Sequence, residues 1–179
     1  MKTKTYVWSV IVTLAVAGLS ALLSMGNMDI YGSIEKPAFA PPSILFPIVW
    51  GILYILMGIS VANVIIKARE KGVYALSCIR IYALQLIVNF FWSIIFFNLR
   101  AFLFSFIWLV LLWVLIIVMI KCFSKISSFA AYINIPYLLW VTFAAALNFM
   151  ILIRSLKMKW HRYRRYKEKA DTVTIKQIR

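Results

Sequence analysis

The chain has 179 residues, of which 64% are hydrophobic and 14% charged. An ordinary soluble domain is about half apolar and about a quarter charged, so a disordered chain, a soluble globular enzyme and a disulfide-rich secreted module are excluded. The net charge is +15, but the Lys and Arg residues flank apolar runs, as in a membrane protein rather than a nucleic-acid binder.

A spanning helix needs about 20 apolar residues. Charge-free windows place five of them. Thr5 to Met28 predicts a first span over about residues 6–25, an uncleaved helix rather than a signal peptide. Ala38 to Ile66 predicts a second over about 47–66, and the stretch between Arg80 and Arg100 a third over 81–98. The stretch between Arg100 and Lys121 predicts a fourth over 102–120. Ile126 to Ile153 predicts a fifth over about 131–153. The expected class is an all-α integral membrane bundle of five transmembrane helices over residues 1–156, followed by a basic hydrophilic tail, 157–179.

The connections differ. Asn98-Leu99-Arg100-Ala101 is a tight turn, so spans three and four are antiparallel neighbours. The loops Lys67 to Arg80 and Lys121 to Ala130 are short and basic or polar. The first connection, residues 26–46, holds Asp29, Tyr31, Glu35 and Lys36, then Pro37, Pro41 and Pro42 before Pro47. Proline fixes φ and disfavours helix just before it, so this segment is expected to be a rigid loop capping the bundle. No internal repeat is evident, which argues against an inverted-repeat transporter. Orientation is contested: short basic loops favour the N-terminus inside, whereas nine Lys/Arg against two acids after residue 156 favour the C-terminus inside.

Charged groups inside a membrane mark function by default, and these five spans contain no Asp, Glu or His. Proton relays, di-metal centres, histidine-ligated haem and Ser-His-Asp or Cys-His catalysis lack their residues. No metal site and no glycine-rich phosphate loop is expected. Cys78 and Cys122 are too few for a disulfide framework, and their context reads as reduced and buried, or lipid-facing.

Amides and aromatics remain. Gln85, Asn89, Trp92 and Phe96 share one face of the third span. Trp50 and Tyr54 lie one turn apart on the second, with Asn63 deeper, and Trp140, Ala144 and Asn148 form a stripe on the fifth, after Tyr137. Amides in lipid seek partners on other helices. Gln85, Asn89 and Asn148 therefore read as interhelical bonds, with Asn89 lining a pocket in addition. Trp8, Trp108, Trp113 and Trp160 read as interfacial anchors. Gly58/Ala62 and Ala17/Ala21 are pairs that let backbones approach. Large rings beside Ala144-Ala145-Ala146 suggest a flat apolar slot suited to a planar ring system.

Three blocks, in order, resemble the TspO/MBR family of tryptophan-rich sensory and mitochondrial translocator (peripheral benzodiazepine receptor) proteins. The first is Lys36-Pro37-Ala38-Phe39-Ala40-Pro41-Pro42, with Pro47-Ile48-Val49-Trp50 and Leu53-Tyr54-x-x-Met57-Gly58. The second is Gln85-x-x-x-Asn89-Phe90-x-Trp92 with Phe96-Phe97-x-x-Arg100. The third is Pro136-Tyr137-Leu138-Leu139-Trp140-Val141-x-Phe143-Ala144 with Leu147-Asn148. The resemblance covers about residues 6–155 and implies a five-helix bundle, often dimeric, in a bacterial cell membrane. It implies an intramembrane pocket for porphyrins such as protoporphyrin IX, bound as ligand with no tightly held cofactor, and a sensor or regulator role. The alternatives it carries are light- and oxygen-dependent porphyrin breakdown, and transport of tetrapyrroles or sterols. By matched position the implied binding residues are Tyr31, Pro42, Trp50, Tyr54, Asn89, Trp92, Phe96, Trp140, Phe143 and Ala144. Trp50 and Trp140 are the implied catalytic pair if photo-oxidation occurs, although the missing acid, base and nucleophile argue against enzymatic turnover.

Two positions depart from the family pattern. Trp108 stands about where an acidic residue is common, and Phe149 replaces the tyrosine of the sterol motif. Arg80-x-Tyr82-x-Leu84 fits the reversed motif, so sterol or another lipid is a weak further partner. The basic tail lies outside the resemblance and is expected to meet anionic headgroups, not nucleic acid.

Overall fold

The computed structural model describes residues 2–24, 26 and 41–178, the last eleven as backbone only. The expected cap over residues 26–46, and with it Tyr31, lies largely outside the described residues. Helices occupy Lys2–Ser24 (α1), Leu45–Lys71 (α2), Leu76–Ser93 (α3), Phe102–Ser124 (α4), Ser128–Tyr132 (α5) and Ile135–Ile178 (α6). Among the described residues there is no strand. Five helical stretches are long and apolar enough to cross a membrane.

Local chemistry sets the boundaries. Pro47 and Pro136 both sit in a first helical turn, where a missing N–H leaves no intrahelical bond unmade. α2 stops at Gly72, whose φ of 63° is left-handed and whose N–H points back to the carbonyls of Ala68 and Arg69. The expected loop from Lys67 to Arg80 is therefore only the turn at 72–75, and Arg80 belongs to α3. α3 ends in a π-helical turn, Ile94–Asn98. The chain then reverses through Arg100, at φ +50° a costly conformation for a side-chain-bearing residue. Asn98 Nδ2 ties this turn to the Leu23 carbonyl of α1 at 2.8 Å.

In lipid, helices are held together by close packing and interhelical hydrogen bonds rather than by the hydrophobic effect. The apolar exterior, with Ile11, Leu22, Ile52, Ile107 and Leu139 all exposed, suits such a solvent. α1 buries Thr13, Ser20 and Ser24 instead. Thr13 Oγ1 and Tyr82 Oη share a 2.6 Å bond, Ser20 and Ser93 another of 2.6 Å, and Ser20 Oγ donates to the Phe90 carbonyl at 3.0 Å. α1 and α3 thus run parallel along a polar seam. α1 also packs on α2, α3 on α4, and α4 on α6. Asn63 Nδ2 donates to Tyr6 Oη at 3.1 Å, and Ser127 Oγ donates to Asn63 Oδ1 at 2.6 Å.

Two anchor expectations are corrected. Trp108 Nε1 donates to the Val88 carbonyl at 2.7 Å, and Trp113 Nε1 to Thr142 Oγ1 at 2.9 Å. Both rings join α4 to a neighbouring helix. Trp8 and Trp160 remain exposed.

The cysteine expectation is also overturned: Cys78 and Cys122 form a disulfide between the start of α3 and the end of α4. Antiparallel packing about the turn at Arg100 brings them together, with Cα atoms 5.5 Å apart. Denatured, unreduced protein should therefore take up no maleimide, and reduced protein two per chain. Labelling without reductant would contradict the bond.

Candidate functional site

The backbones of α2 and α6 are not closely packed together, and cavities open beside this seam. Of the two that share Trp92, the larger, about 300 Å³, is lined by Phe46 and Pro47 from α2, Trp92, Phe96 and Phe97 near the end of α3, and Ala144, Leu147, Asn148 and Ile151 from α6. A smaller one, about 110 Å³, lies on the other side of Trp92, where Ala17 and Ser20 of α1 face Trp50, Tyr54, Asn89 and Trp92. Trp92, Phe46, Pro47 and Phe97 line both.

The walls are flat rings. Trp92 stacks on Phe96 with centroids 5.5 Å apart and planes 25° from parallel. Trp50 lies 6.4 Å from Trp92, 5.7 Å from Tyr54 and 6.1 Å from Tyr137. Opposite, Ala144 contributes only a methyl, so the wall of α6 recedes there. The spacing of Trp92 and Phe96, one turn apart, holds both rings on the same face of the helix.

Polar groups are few and mostly spent on each other. Asn89 Nδ2 donates to Tyr54 Oη at 3.1 Å. Tyr137 Oη donates to Gln85 Oε1 at 2.9 Å, and Gln85 Nε2 approaches Met57 Sδ at 3.9 Å. Asn148 Nδ2 donates to Ser105 Oγ at 3.0 Å. Gln85 and Asn148 are therefore interhelical bonds as the sequence suggests, and Asn148 also borders the larger cavity. Asn89 does both jobs, bonding α3 to α2 and lining the smaller cavity. Among the described residues, two buried indole N–H groups, on Trp92 and Trp140, have no hydrogen-bond partner. An unsatisfied buried donor costs about 1–3 kcal/mol, so Trp92, on the cavity wall, is a donor in want of an acceptor.

The ten residues implied as binding do not all meet. Trp50, Tyr54, Asn89 and Trp92 surround the smaller cavity, and Trp92, Phe96 and Ala144 the larger. Pro42 is exposed just before α2. Trp140 and Phe143 line a separate apolar groove along α2 and α6, with Ile52 and Leu139. Trp140 meets Phe46 of the site edge to face at 5.7 Å. Trp140 and Ala144 are one turn apart, but the longer indole turns into the groove while the Ala144 methyl faces the cavity. Phe46 and Phe97 line both cavities, and adjacency to Pro47 and Phe96 is the only sign of them in the sequence. No group of three or more His, Cys, Asp or Glu among the described residues holds metal-ligating geometry. Tyr82, the ring of the reversed sterol motif, is buried against Thr13 and is not displayed to lipid.

A model of the TspO/MBR family matches residues 9–154. The chain is 38% identical to the tryptophan-rich protein TspO of Chlorobaculum tepidum, over 68% of this chain and 77% of that one. It is 39% identical to the protein CrtK of Rhodobacter capsulatus, over 68% and 75%. It is 31% identical to the translocator protein of Ovis aries, over 66% and 70%.

Proposed function

Since the chain belongs to the TspO/MBR family of multi-pass membrane proteins, we propose that it binds a porphyrin, protoporphyrin IX or a related tetrapyrrole, in the cavity walled by Trp92, Phe96 and Ala144, and acts as a sensor or regulator. The carrying observation is the pair of near-parallel rings, Trp92 and Phe96, facing a helix wall cut back to a methyl at Ala144. A flat apolar macrocycle gains most from stacked aromatic walls. A few fixed polar groups set its orientation. Asn148, on the same wall, is held in place by Ser105.

A photochemical reading draws support from Trp50, 6.4 Å from Trp92 beside the smaller cavity. An indole stacked near a light-excited porphyrin donates an electron or hydrogen bond and reacts with the oxygen species formed. Trp140, the other implied partner, lies in the outer groove, so Trp92 takes its place in this reading.

The test is a dark titration of the detergent-solubilised protein with protoporphyrin IX, followed by illumination. Saturable binding at low micromolar concentration or tighter, with a shifted Soret band, is expected. Absence of saturable binding would overturn the proposal. Faster loss of porphyrin absorbance than in protein-free detergent, with a new product band, would add the photochemical step. Loss at the detergent rate leaves a sensor.

A further inference from the structure

The family match ends at residue 154, yet α6 continues unbroken to Ile178. We propose that residues 154–167 form a cationic collar that binds the anionic lipid headgroups of the leaflet into which α6 emerges.

Position is the first argument. The apolar part of α6 ends at Ile153, and at about 1.5 Å per residue Lys167 stands about 20 Å further along the axis. The segment therefore crosses the headgroup layer, about 5–8 Å deep on each side, and runs on past one Debye length, roughly 8 Å, into solution. Trp160 and Tyr163, with rings 6.3 Å apart, are exposed on this stretch. Indole and phenol rings at this depth are interfacial anchors.

Charge is the second. Residues 154–167 contain seven Lys/Arg and no Asp or Glu.

Distribution selects the partner. At 3.6 residues per turn, Lys157, Lys159, Arg162, Arg164, Arg165 and Lys167 fall on every side of the helix. A nucleic-acid groove or an acidic protein face engages one side. A headgroup layer surrounds the helix and meets all of them. The Cys78–Cys122 bond points the same way. It lies near the far end of the bundle, and disulfides persist in oxidising compartments. The collar then emerges on the reducing, cytoplasmic side, whose leaflet carries anionic lipid.

The experiment is hydrogen exchange on the full chain in nanodiscs, comparing pure phosphatidylcholine with discs in which about a third of the lipid is phosphatidylglycerol. Peptides from 154–167 are expected to exchange about five-fold or more slowly in the anionic discs. High salt should erase the difference. Peptides from α2 and α3 should not change, which reports an intact bundle. A variant with these six Lys/Arg replaced by Gln should exchange equally in both discs. Equal exchange of the native segment in both lipids would overturn the proposal. So would protection by added RNA in phosphatidylcholine discs with none from phosphatidylglycerol, which would make the partner a nucleic acid.

Discussion

Ala144→Phe is expected to weaken porphyrin binding about 100-fold or more while leaving the helical bundle intact. That loss corresponds to about 2.7 kcal/mol. Ala144 is 4% exposed and its methyl faces the cavity of about 300 Å³ between Trp92, Phe96 and Asn148. A benzyl group there enters existing space, so it need not displace its neighbours as overpacking of a filled core would. It would instead occupy the volume in which a macrocycle stacks on Trp92. The control is Ala146→Phe. Ala146 lies two residues on, in an outer groove with Phe106, Val110, Trp113 and Phe149. The same substitution there should leave affinity unchanged. Measured in parallel by dark titration, equal affinities for the two variants would remove the ligand from the cavity.

Gly58→Ala should destabilise the bundle by about 1–3 kcal/mol, the usual cost of overpacking. A Cβ at Gly58 would stand 2.7 Å from Val10 Cα and 3.1 Å from Val10 N. Those are backbone atoms, so no rotamer change relieves the clash and α1 must move off α2. The seam has no slack nearby, because Ala62, one turn on, is fully buried. Gly51 is the comparison: a Cβ there meets nothing within 4 Å. Gly51→Ala should stabilise α2 by up to about 1 kcal/mol through helix propensity alone. Thermal unfolding in detergent reads both. A Gly58→Ala midpoint at or above that of Gly51→Ala would contradict the packing described here.

The spans were legible because lipid imposes a length and a polarity that few sequences meet by accident. Asn98-Leu99-Arg100-Ala101 read correctly as the hairpin between two helices. The boundaries moved where apolar periodicity is silent: α3 begins at Leu76, because the turn needs only Gly72 and three more residues. The disulfide was legible in hindsight. Cys78 and Cys122 each lie 22 residues from Arg100 (100 − 78 and 122 − 100), and antiparallel helices of equal reach bring such positions together. Composition alone hides that, because two cysteines form no pattern. The stripes through Trp92 and Phe96 predicted shared faces, and the rings do share one. Trp140 did not follow Ala144 into the cavity, because helical spacing fixes where a side chain leaves the backbone, not which way a long ring then turns. Trp108 and Trp113 were misread for a related reason. Sequence position does not show the acceptor across the seam, and here Val88 and Thr142 supply one.

The most direct test of the central claim is to ask the porphyrin where it sits. A bound porphyrin under light generates singlet oxygen beside itself, and O₂ adds to the nearest indole rings. Peptide mapping by mass spectrometry after brief illumination of the saturated complex should place oxidation first on Trp92 and Trp50. Both line the cavities, and Trp92 is 6% exposed. Trp8 and Trp160 are 65% and 62% exposed, yet should oxidise later. Oxidation led by Trp8 and Trp160 would contradict an intramembrane site walled by Trp92.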